Sequence, residues 1–254
     1  MNVSHPIRVA LLLLGLGACA DNPYVIGAVR TDAAVLDPCV DHPGALACSG
    51  FEHPELSDWP EPIVQGSGEI ARSTARARSG SASLRAASSG AESSAVVVRE
   101  FEPRTGGTLH LRVWLYLPGG VATETMNLFF LGDDPNPSED PAAAFLGTDL
   151  NLEDGALQLY SPQSAVPRVT GTVQVPRDRW FCLRAAFVLA DEGAVRVFVD
   201  GAPALEVDPH DTLPEGGVHL LRAGVDWSSG QTDPFEVFMD DLVLSDTPVP
   251  CSAP

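Results

Sequence analysis

The chain has 254 residues, of which 34 are Asp or Glu and 15 are Lys or Arg, so its formal net charge at pH 7 is −19. This acidity leaves no basic stripe for a phosphate backbone, which disfavours nucleic-acid binding, and it opposes adhesion to anionic lipid headgroups. The length is enough for one large domain or two small ones.

Residues 1–18 have the three parts of a signal peptide. Arg8 supplies a short positive region, residues 9–16 (VALLLLGL) form a compact apolar run, and small residues then lead into Cys19. A transmembrane helix needs about 20 apolar residues, and this run is far shorter. We therefore expect an exported protein.

The segment 16–19 (LGAC) resembles the lipobox of bacterial lipoproteins. In that family the cysteine thiol receives a diacylglyceryl group and the cysteine becomes the first mature residue. The resemblance implies that Cys19 is lipidated and that the anchor is the membrane attachment. Because Ala20 follows Cys19 where inner-membrane lipoproteins have Asp, it also implies the outer membrane. An ordinary secretory signal with an incidental cysteine is the alternative.

Four more cysteines follow Cys19, and an even number in an exported chain predicts disulfides. Of the three possible pairings we favour Cys39–Cys48 and Cys182–Cys251. On the chain-entropy model the first loop contributes roughly 2.7 kcal/mol and the second roughly 4.4 kcal/mol. A zinc site beside His42 is the alternative, although the spacings match no zinc signature.

Residues 19–38 comprise the lipidated cysteine and a segment without apolar periodicity, which we interpret as a flexible tether. Residues 39–254 are predicted to form a single domain, and we expect a monomer.

Segment 107–117 alternates cleanly, with Leu and Val on one face and His, Arg, Trp and Tyr on the other.

Further strands are predicted at 179–190, 194–200 and 235–245. The dipeptides Asp154-Gly155 and Asp200-Gly201 predict two-residue hairpin turns. A dozen or more strand candidates, without sustained helical periodicity, predict an all-β fold, an antiparallel two-sheet sandwich.

Several short motifs occur in a characteristic order along the chain. They are 48–52 (CSGFE), 79–85 (SGSASLR), 111–118 (LRVWLYLP), 180–182 (WFC), 197–201 (VFVDG) and 240–243 (DDLV). Together they resemble the concanavalin A-like, laminin-G-like jelly rolls of bacterial surface proteins. The resemblance implies a jelly-roll fold but no single activity, because this fold carries lectins, glycosidases, lyases, adhesion modules and inert spacers.

A structural calcium ion is the one cofactor that this resemblance implies. Carbohydrate-binding relatives hold this ion where the first and last strands meet. The matching ligand positions in this sequence are Glu52 and Asp241, with Asp240 as the alternative to Asp241. Calcium takes six to eight oxygens, so backbone carbonyls of 79–81 would have to contribute. The alternative is that these carboxylates are solvated acids at strand ends.

Arg112, Trp114 and Tyr116 project from one face of one strand, and Arg184 joins them if its strand lies in the same sheet. Aromatic rings stack on sugar rings, and Arg donates to hydroxyls or carboxylates, so this face predicts a ligand site. The alternatives are that Trp114 and Tyr116 lie under a loop, or that they lie in the core with the Leu face outward.

Segment 206–211 (EVDPHD) resembles the E-x-D-x-x-E motif of laminarinase-like glycosidases. Its last acid is Asp rather than Glu, and Pro209 is expected to break the strand.

No other catalytic pattern stands out, which favours a non-enzymatic surface lipoprotein that binds a glycan or a surface protein. A polysaccharide hydrolase or lyase at the concave sheet and a structural spacer of the envelope are the alternatives.

Overall fold

The structure is a computed structural model that describes residues 38–60, 62–90, 93–119, 125–133, 147–226, 228–229 and 234–251. These residues belong to the unit Ala33–Pro254, whereas the unit Met1–Asp32 lies outside them. The predicted signal peptide, Cys19 and the tether up to residue 37 therefore lie outside the described residues. Within the described part of the chain, no helix is long and apolar enough to cross a membrane.

Strands dominate the described residues, with one α-helical turn, α1 (Pro38–Asp41), and one 3-10 turn (Pro54–Leu56). In chain order the strands are β1 (Ala47–Ser49), β2 (Ile63–Gln65), β3 (Glu69–Ser73), β4 (Ser83–Ser88), β5 (Ser94–Arg104), β6 (Gly107–Tyr116), β7 (Thr125–Gly132), β8 (Gly147–Glu153), β9 (Ala156–Tyr160), β10 (Arg168–Gln174), β11 (Trp180–Leu189), β12 (Gly193–Val199), β13 (Ala202–His210), β14 (Val218–Val225), β15 (Ser228–Ser229) and β16 (Phe235–Ser245).

The strands form two antiparallel sheets of eight strands each. The first sheet has the order β13-β12-β11-β6-β16-β4-β3, with β1 beside β16. The second sheet has the order β10-β9-β8-β7-β14-β5-β2, with β15 beside β7. The predicted fold class, an all-β jelly-roll sandwich, is confirmed.

Two hairpin turns lie where the sequence predicts them. Asp154 and Gly155 join β8 to β9 with φ of 48° and 81°. Asp200 and Gly201 join β12 to β13 with φ of 49° and 83°. Because a type I′ turn requires positive φ at both central residues, Asp-Gly suits it and fixes the register of each hairpin.

The core lies between the two sheets. On β6 the alternating residues Leu109, Leu111, Val113 and Leu115 are at most 1% exposed, and Leu117 continues the series. Burying each of these side chains contributes about 1.5–3 kcal/mol relative to leaving it in water. The alternation confirms the inward face predicted for 107–117 and turns the polar and aromatic residues of β6 to the outer face of the first sheet.

Two disulfides are present, Cys39–Cys48 and Cys182–Cys251, with Cα atoms 5.5 Å and 6.0 Å apart. Both favoured pairings are confirmed. The first ties α1 to β1, and the second ties the C-terminal segment to β11. They indicate that the chain matures in an oxidising compartment, as exported proteins do.

The expectation that Pro209 breaks its strand is wrong, because β13 (Ala202–His210) continues through it. The first sheet ends at β13, and Pro209 lies at a register shift of this edge strand, between the pairs Val195–Val207 and Gly193–His210, where a residue without an N–H is tolerated. Glu206 and Asp208 both form ion pairs with Arg196, at 2.9 Å and 3.3 Å.

Candidate functional site

Polar side chains are concentrated on the face of the second sheet that points away from the core. We call this group the polar band, and its members are Asn127, Asp149, Asn151, Gln158, Arg222 and Asp226. Each of them is at most 8% exposed. Polar side chains on an outer face normally meet solvent, so their burial marks this face as unusual.

Strand alternation places these side chains. On β8, Leu150 and Leu152 point into the core, which turns Asp149 and Asn151 outward. Gln158 on β9 and Arg222 on β14 stand in the same way between core residues of their own strands.

Strand register brings the polar band into two neighbouring rows. In one row Arg222 lies opposite Phe130 and Phe130 lies opposite Asp149. In the other row Asn127 lies opposite Asn151, which lies opposite Gln158. Directly opposite residues are about 4.5–5.5 Å apart, so polar groups from four strands share one compact patch.

An ion pair holds one end of the band. Arg222 Nη1 donates to Asp226 Oδ2 at 3.1 Å, and the Ser94 hydroxyl donates to Asp226 Oδ1 at 2.9 Å. The guanidinium of Arg222 also lies over the ring of Phe130, 4.9 Å from its centroid. Arg222 is therefore held by the Asp226 carboxylate and by the ring of Phe130, and Asp226 is held in turn by Ser94.

The second carboxyl of the band, Asp149, has a raised pKa. Burial raises the pKa of the Asp149 carboxyl well above its usual range, and the nearby Asp226 carboxylate raises it further, while Arg222 opposes the rise. Burial therefore stabilises the protonated form of the Asp149 carboxyl relative to the carboxylate, and the protonated form can donate a hydrogen bond as well as accept one.

Three buried oxygens of the polar band accept no hydrogen bond within the described part of the chain: Asp149 Oδ1, Asn151 Oδ1 and Gln158 Oε1. The other end of the Gln158 amide is held, because Nε2 donates to Thr170 Oγ1 at 3.0 Å. Buried acceptors without donors are uncommon in folded proteins and call for water or a ligand. Hydroxyl groups are donors that suit all three oxygens.

The ligand site predicted from the sequence lies on the other sheet. Arg112, Trp114 and Tyr116 share the outer face of β6, and Arg184 on β11 lies directly opposite Arg112. The structure thus brings the four side chains together. It leaves little of two of them accessible, since Arg112 is 8% and Tyr116 9% exposed.

Part of that covering comes from the segment between β3 and β4. Arg76 lies over the ring of Tyr116, 4.1 Å from its centroid, and Arg78 lies over Trp114 at 4.2 Å. The aromatic rings therefore already have guanidinium groups stacked on them. Whether this face binds a ligand stays a prediction.

The three predicted metal ligands hold the same segment by hydrogen bonds. Glu52 Oε1 accepts from the amides of Ser81 and Ala82 at 2.7 Å and 3.0 Å, and Glu52 Oε2 accepts from the Ser81 hydroxyl at 2.6 Å. Although burial acts to raise it, these hydrogen bonds leave the pKa of Glu52 lowered. Glu52 is therefore a stable carboxylate that anchors the turn at 81–82.

The two aspartates of β16 complete this anchor. Asp240 Oδ2 accepts from the amides of Arg78 and Ser79 at 2.7 Å and 3.2 Å, and Asp240 Oδ1 accepts from the amide of Asp241 at 2.8 Å. Asp241 Oδ1 accepts from the Ser79 hydroxyl at 2.8 Å. Burial, and then the neighbouring charge of Asp241, raises the pKa of the Asp240 carboxyl to about 7. Burial also raises the pKa of the Asp241 carboxyl.

This arrangement does not fit a calcium ion. Five of the six carboxylate oxygens of Glu52, Asp240 and Asp241 already accept hydrogen bonds. Backbone amides donate to three of these oxygens and the hydroxyls of Ser81 and Ser79 donate to the other two, where a cation would need oxygen ligands instead. Among the described residues no group of three or more His, Cys, Asp or Glu side chains is placed to hold a metal. Calcium at this position stays a prediction.

The polar band was not predicted from the sequence. The available signal was weak: one Arg inside an apolar strand (VHLLRAGV), and Asp149 alternating with Asn151 between leucines. The same pattern is expected of any sheet with a solvated outer face. Only the burial of these side chains, which requires the structure, distinguishes them.

Comparison with known proteins supports the fold. No protein-family profile and no curated protein matches the chain. Among solved structures it is similar to an endo-β-1,4-glucuronan lyase from the fungus Trichoderma reesei, with a TM-score of 0.60 and 13% identity over 76% of this chain and 93% of that chain. It is also similar to the cellulose-induced protein Cip1, with a TM-score of 0.61 and 16% identity over 81% of this chain and 100% of that chain.

A third similar structure is the binding domain of botulinum neurotoxin serotype C1, with a TM-score of 0.50 and 9% identity over 74% of this chain and 45% of that chain. At such identities the likeness shows a shared jelly-roll sandwich. The lyase and the toxin domain carry different functions on this fold, so activity has to be inferred from the side chains of this chain.

Proposed function

We propose that this protein is an exported carbohydrate-binding lipoprotein whose glycan ligand lies against the polar band. The observation that carries the proposal is the set of three buried acceptor oxygens, on Asp149, Asn151 and Gln158, that accept no hydrogen bond from the described residues. Leaving a buried polar group without a partner costs about 1–3 kcal/mol. A ligand that brings hydroxyl donors to all three removes that cost.

Carbohydrate suits these groups better than an apolar ligand does. Sugar hydroxyls both donate and accept, and so do amides and a protonated carboxyl. The polar band offers three amides, on Asn127, Asn151 and Gln158, together with the carboxyl of Asp149, whose pKa is raised. A surface-protein ligand with exposed hydroxyls or amides is the other partner that this chemistry allows.

The anchor and the location are part of the proposal. The apolar run before Cys19 and the motif LGAC support lipidation of Cys19, and Ala20 supports the outer membrane. The segment 20–38 would then hold the sandwich away from the bilayer. Labelling cells that express the chain with radioactive palmitate tests the anchor: incorporation should be lost in Cys19→Ala.

A glycan array tests the proposed function. The wild-type protein should bind a defined set of glycans, and Gln158→Ala should weaken that binding by about tenfold, the loss expected for one or two hydrogen bonds. Gln174→Ala is the matched control, because Gln174 is exposed at the end of β10. Absence of binding to every glycan would contradict the proposal and favour a structural spacer.

A polysaccharide hydrolase or lyase acting at the polar band is the second candidate function. The observation that favours it is the pair of neighbouring carboxyls, with Asp149 favouring the protonated form and Asp226 paired with Arg222. A protonated and an ionised carboxyl are the two groups that glycoside hydrolysis requires.

Incubation with a panel of polysaccharides distinguishes the two candidates. An enzyme would release reducing ends or unsaturated products, and the release would be lost in Asp149→Asn, which keeps the shape of the side chain but has no acidic proton. A binding protein would release nothing while it still retained the array ligands.

A further inference from the structure

Two arginines face each other across neighbouring strands of the first sheet. Arg112 on β6 lies directly opposite Arg184 on β11, and the two strands are antiparallel. Like charges placed directly opposite in a sheet are destabilising. Within the described residues neither side chain takes part in a hydrogen bond or an ion pair, and Arg112 Nε, Arg112 Nη2 and Arg184 Nε are buried without a hydrogen-bond partner. The guanidinium of Arg184 lies over the ring of Phe198, 5.2 Å from its centroid.

Other arginines of the same sheet are paired with acids. Arg85 forms ion pairs with Glu69 and Glu236, at 3.1 Å and 2.5 Å. Arg196 is likewise held by two carboxylates. A chain with 34 acidic residues could supply partners for Arg112 and Arg184 as well. The fold leaves both without one.

Two more arginines extend the pair into a row. Arg76 stacks on Tyr116 and Arg78 stacks on Trp114, and within the described residues the side chains of these two arginines form no ion pair. Tyr116, Trp114 and Arg112 alternate along β6, so neighbouring positions are about 6.8 Å apart at about 3.4 Å per residue. The row therefore extends over about 14 Å of the strand.

Acidic groups near the row do not neutralise it by contact. Asp241, Asp240 and Asp41 are the carboxyls whose charges act on Arg112, and burial nevertheless lowers the pKa of the Arg112 guanidinium. Asp240 and Asp241 accept hydrogen bonds from Arg78 and Ser79, and Asp240 also accepts one from the amide of Asp241, whereas neither carboxylate accepts one from Arg112. Positive charge is therefore left at the outer face of an acidic protein.

We propose that this row of arginines, Arg76, Arg78, Arg112 and Arg184, binds a linear acidic polysaccharide. A guanidinium that stacks on an aromatic ring keeps its N–H groups at its edge, where they match a carboxylate or a sulfate. Cations placed over or at alternate residues of one strand match a polymer with repeated charges better than a single ion. This site lies on the first sheet, and it does not depend on glycan binding at the polar band of the second sheet.

Calorimetric titration with a hexamer of galacturonic acid at low salt tests this proposal, with cellohexaose as the uncharged probe of equal length. The wild-type protein should bind the hexamer of galacturonic acid, and added salt should weaken the binding. Arg184→Gln and Arg78→Gln should each lower the affinity by about tenfold, as expected for a charge-assisted hydrogen bond. Arg196→Gln, on the same sheet but paired with two carboxylates, should change the affinity less than twofold.

The proposal would be overturned if the wild-type protein did not bind the charged hexamer, or if wild type, Arg184→Gln and Arg78→Gln bound it equally. Competition by inorganic sulfate as strong as that by the hexamer would also overturn it, because it would indicate a site for a single ion. Thermal melting of each variant checks that the fold is intact. Glycans found on the array should still bind to Arg184→Gln, which separates failure of this site from failure of the polar band.

Discussion

Arg222 and Asp226 form an ion pair of 3.1 Å although their side chains are only 1% and 8% exposed. The two residues are four positions apart, one on β14 and one just beyond its end. Removing two charges from water is costly, and attraction repays the cost only when further hydrogen bonds satisfy both partners. The Ser94 hydroxyl supplies such a bond to Asp226.

Replacing Asp226 by Ala should therefore destabilise the protein by about 3–5 kcal/mol, because it leaves the Arg222 guanidinium buried without its carboxylate. Urea unfolding followed by circular dichroism measures this loss. Glu206→Ala is the control, since the ion pair of Glu206 with Arg196 is exposed and such pairs contribute about 0–1 kcal/mol. Equal losses in the two variants would contradict the assignment of Arg222–Asp226 as a buried structural pair.

The raised pKa of Asp149 predicts a specific dependence of stability on pH. Its usual value is 3.8, and burial raises the folded-state value well above that. A raised carboxyl pKa means that the folded state holds its proton more tightly than the unfolded chain does. The contribution of Asp149 is then fully present below about pH 4 and is lost as the pH rises through the folded-state pKa.

Asp149→Asn, which has no proton to lose, should remove that part of the pH dependence. Urea midpoints measured between pH 4 and pH 9 should fall more steeply with pH in the wild type than in the variant. The difference between the two curves isolates Asp149 from the other carboxyls. Parallel curves would show that Asp149 ionises normally in the folded protein.

Gly80 lies in the turn that Glu52 anchors. It has φ of +56°, and a Cβ added there would lie 2.1 Å from Glu52 Oε1. Gly80→Ala should therefore cost more than about 1 kcal/mol, because it adds left-handed backbone strain and displaces the carboxylate from the amides of Ser81 and Ala82. Thermal melting measures the loss. Gly44→Ala, where an added Cβ meets nothing within 4 Å, should melt close to the wild type.

Calcium should have little effect on stability, because the carboxylates of Glu52, Asp240 and Asp241 accept hydrogen bonds from this chain. Melting temperatures in millimolar calcium and in excess chelator should agree within about 1 °C, since a ligand stabilises only in proportion to its binding. A rise in melting temperature with calcium that is lost in Asp241→Asn would contradict this prediction and support the calcium ion that the family resemblance implies.

The sequence allowed the sandwich to be predicted because its signals are local. Alternation along β6 and the Asp-Gly turns at 154–155 and 200–201 each depend on neighbouring residues. The path of β13 through Pro209 was missed because it depends on β13 being an edge strand, which only the arrangement of the sheet reveals.

The polar band and the arginine row could not be predicted because each gathers residues that are distant in the chain. Asp149 and Arg222 share a row only through the register of β7 between their strands. Arg76 and Arg78 reach Tyr116 and Trp114 from a segment outside the strands, which no periodicity marks. Sequence patterns identify which face a side chain occupies, but not what covers that face.

A crystal structure of the protein with its strongest array glycan tests the central claim most directly. We expect the glycan on the outer face of the second sheet, with hydroxyl groups about 2.7–3.2 Å from Asp149 Oδ1, Asn151 Oδ1 and Gln158 Oε1. A neutral glycan bound elsewhere, with ordered water on all three oxygens, would contradict the assignment of the polar band as the ligand site.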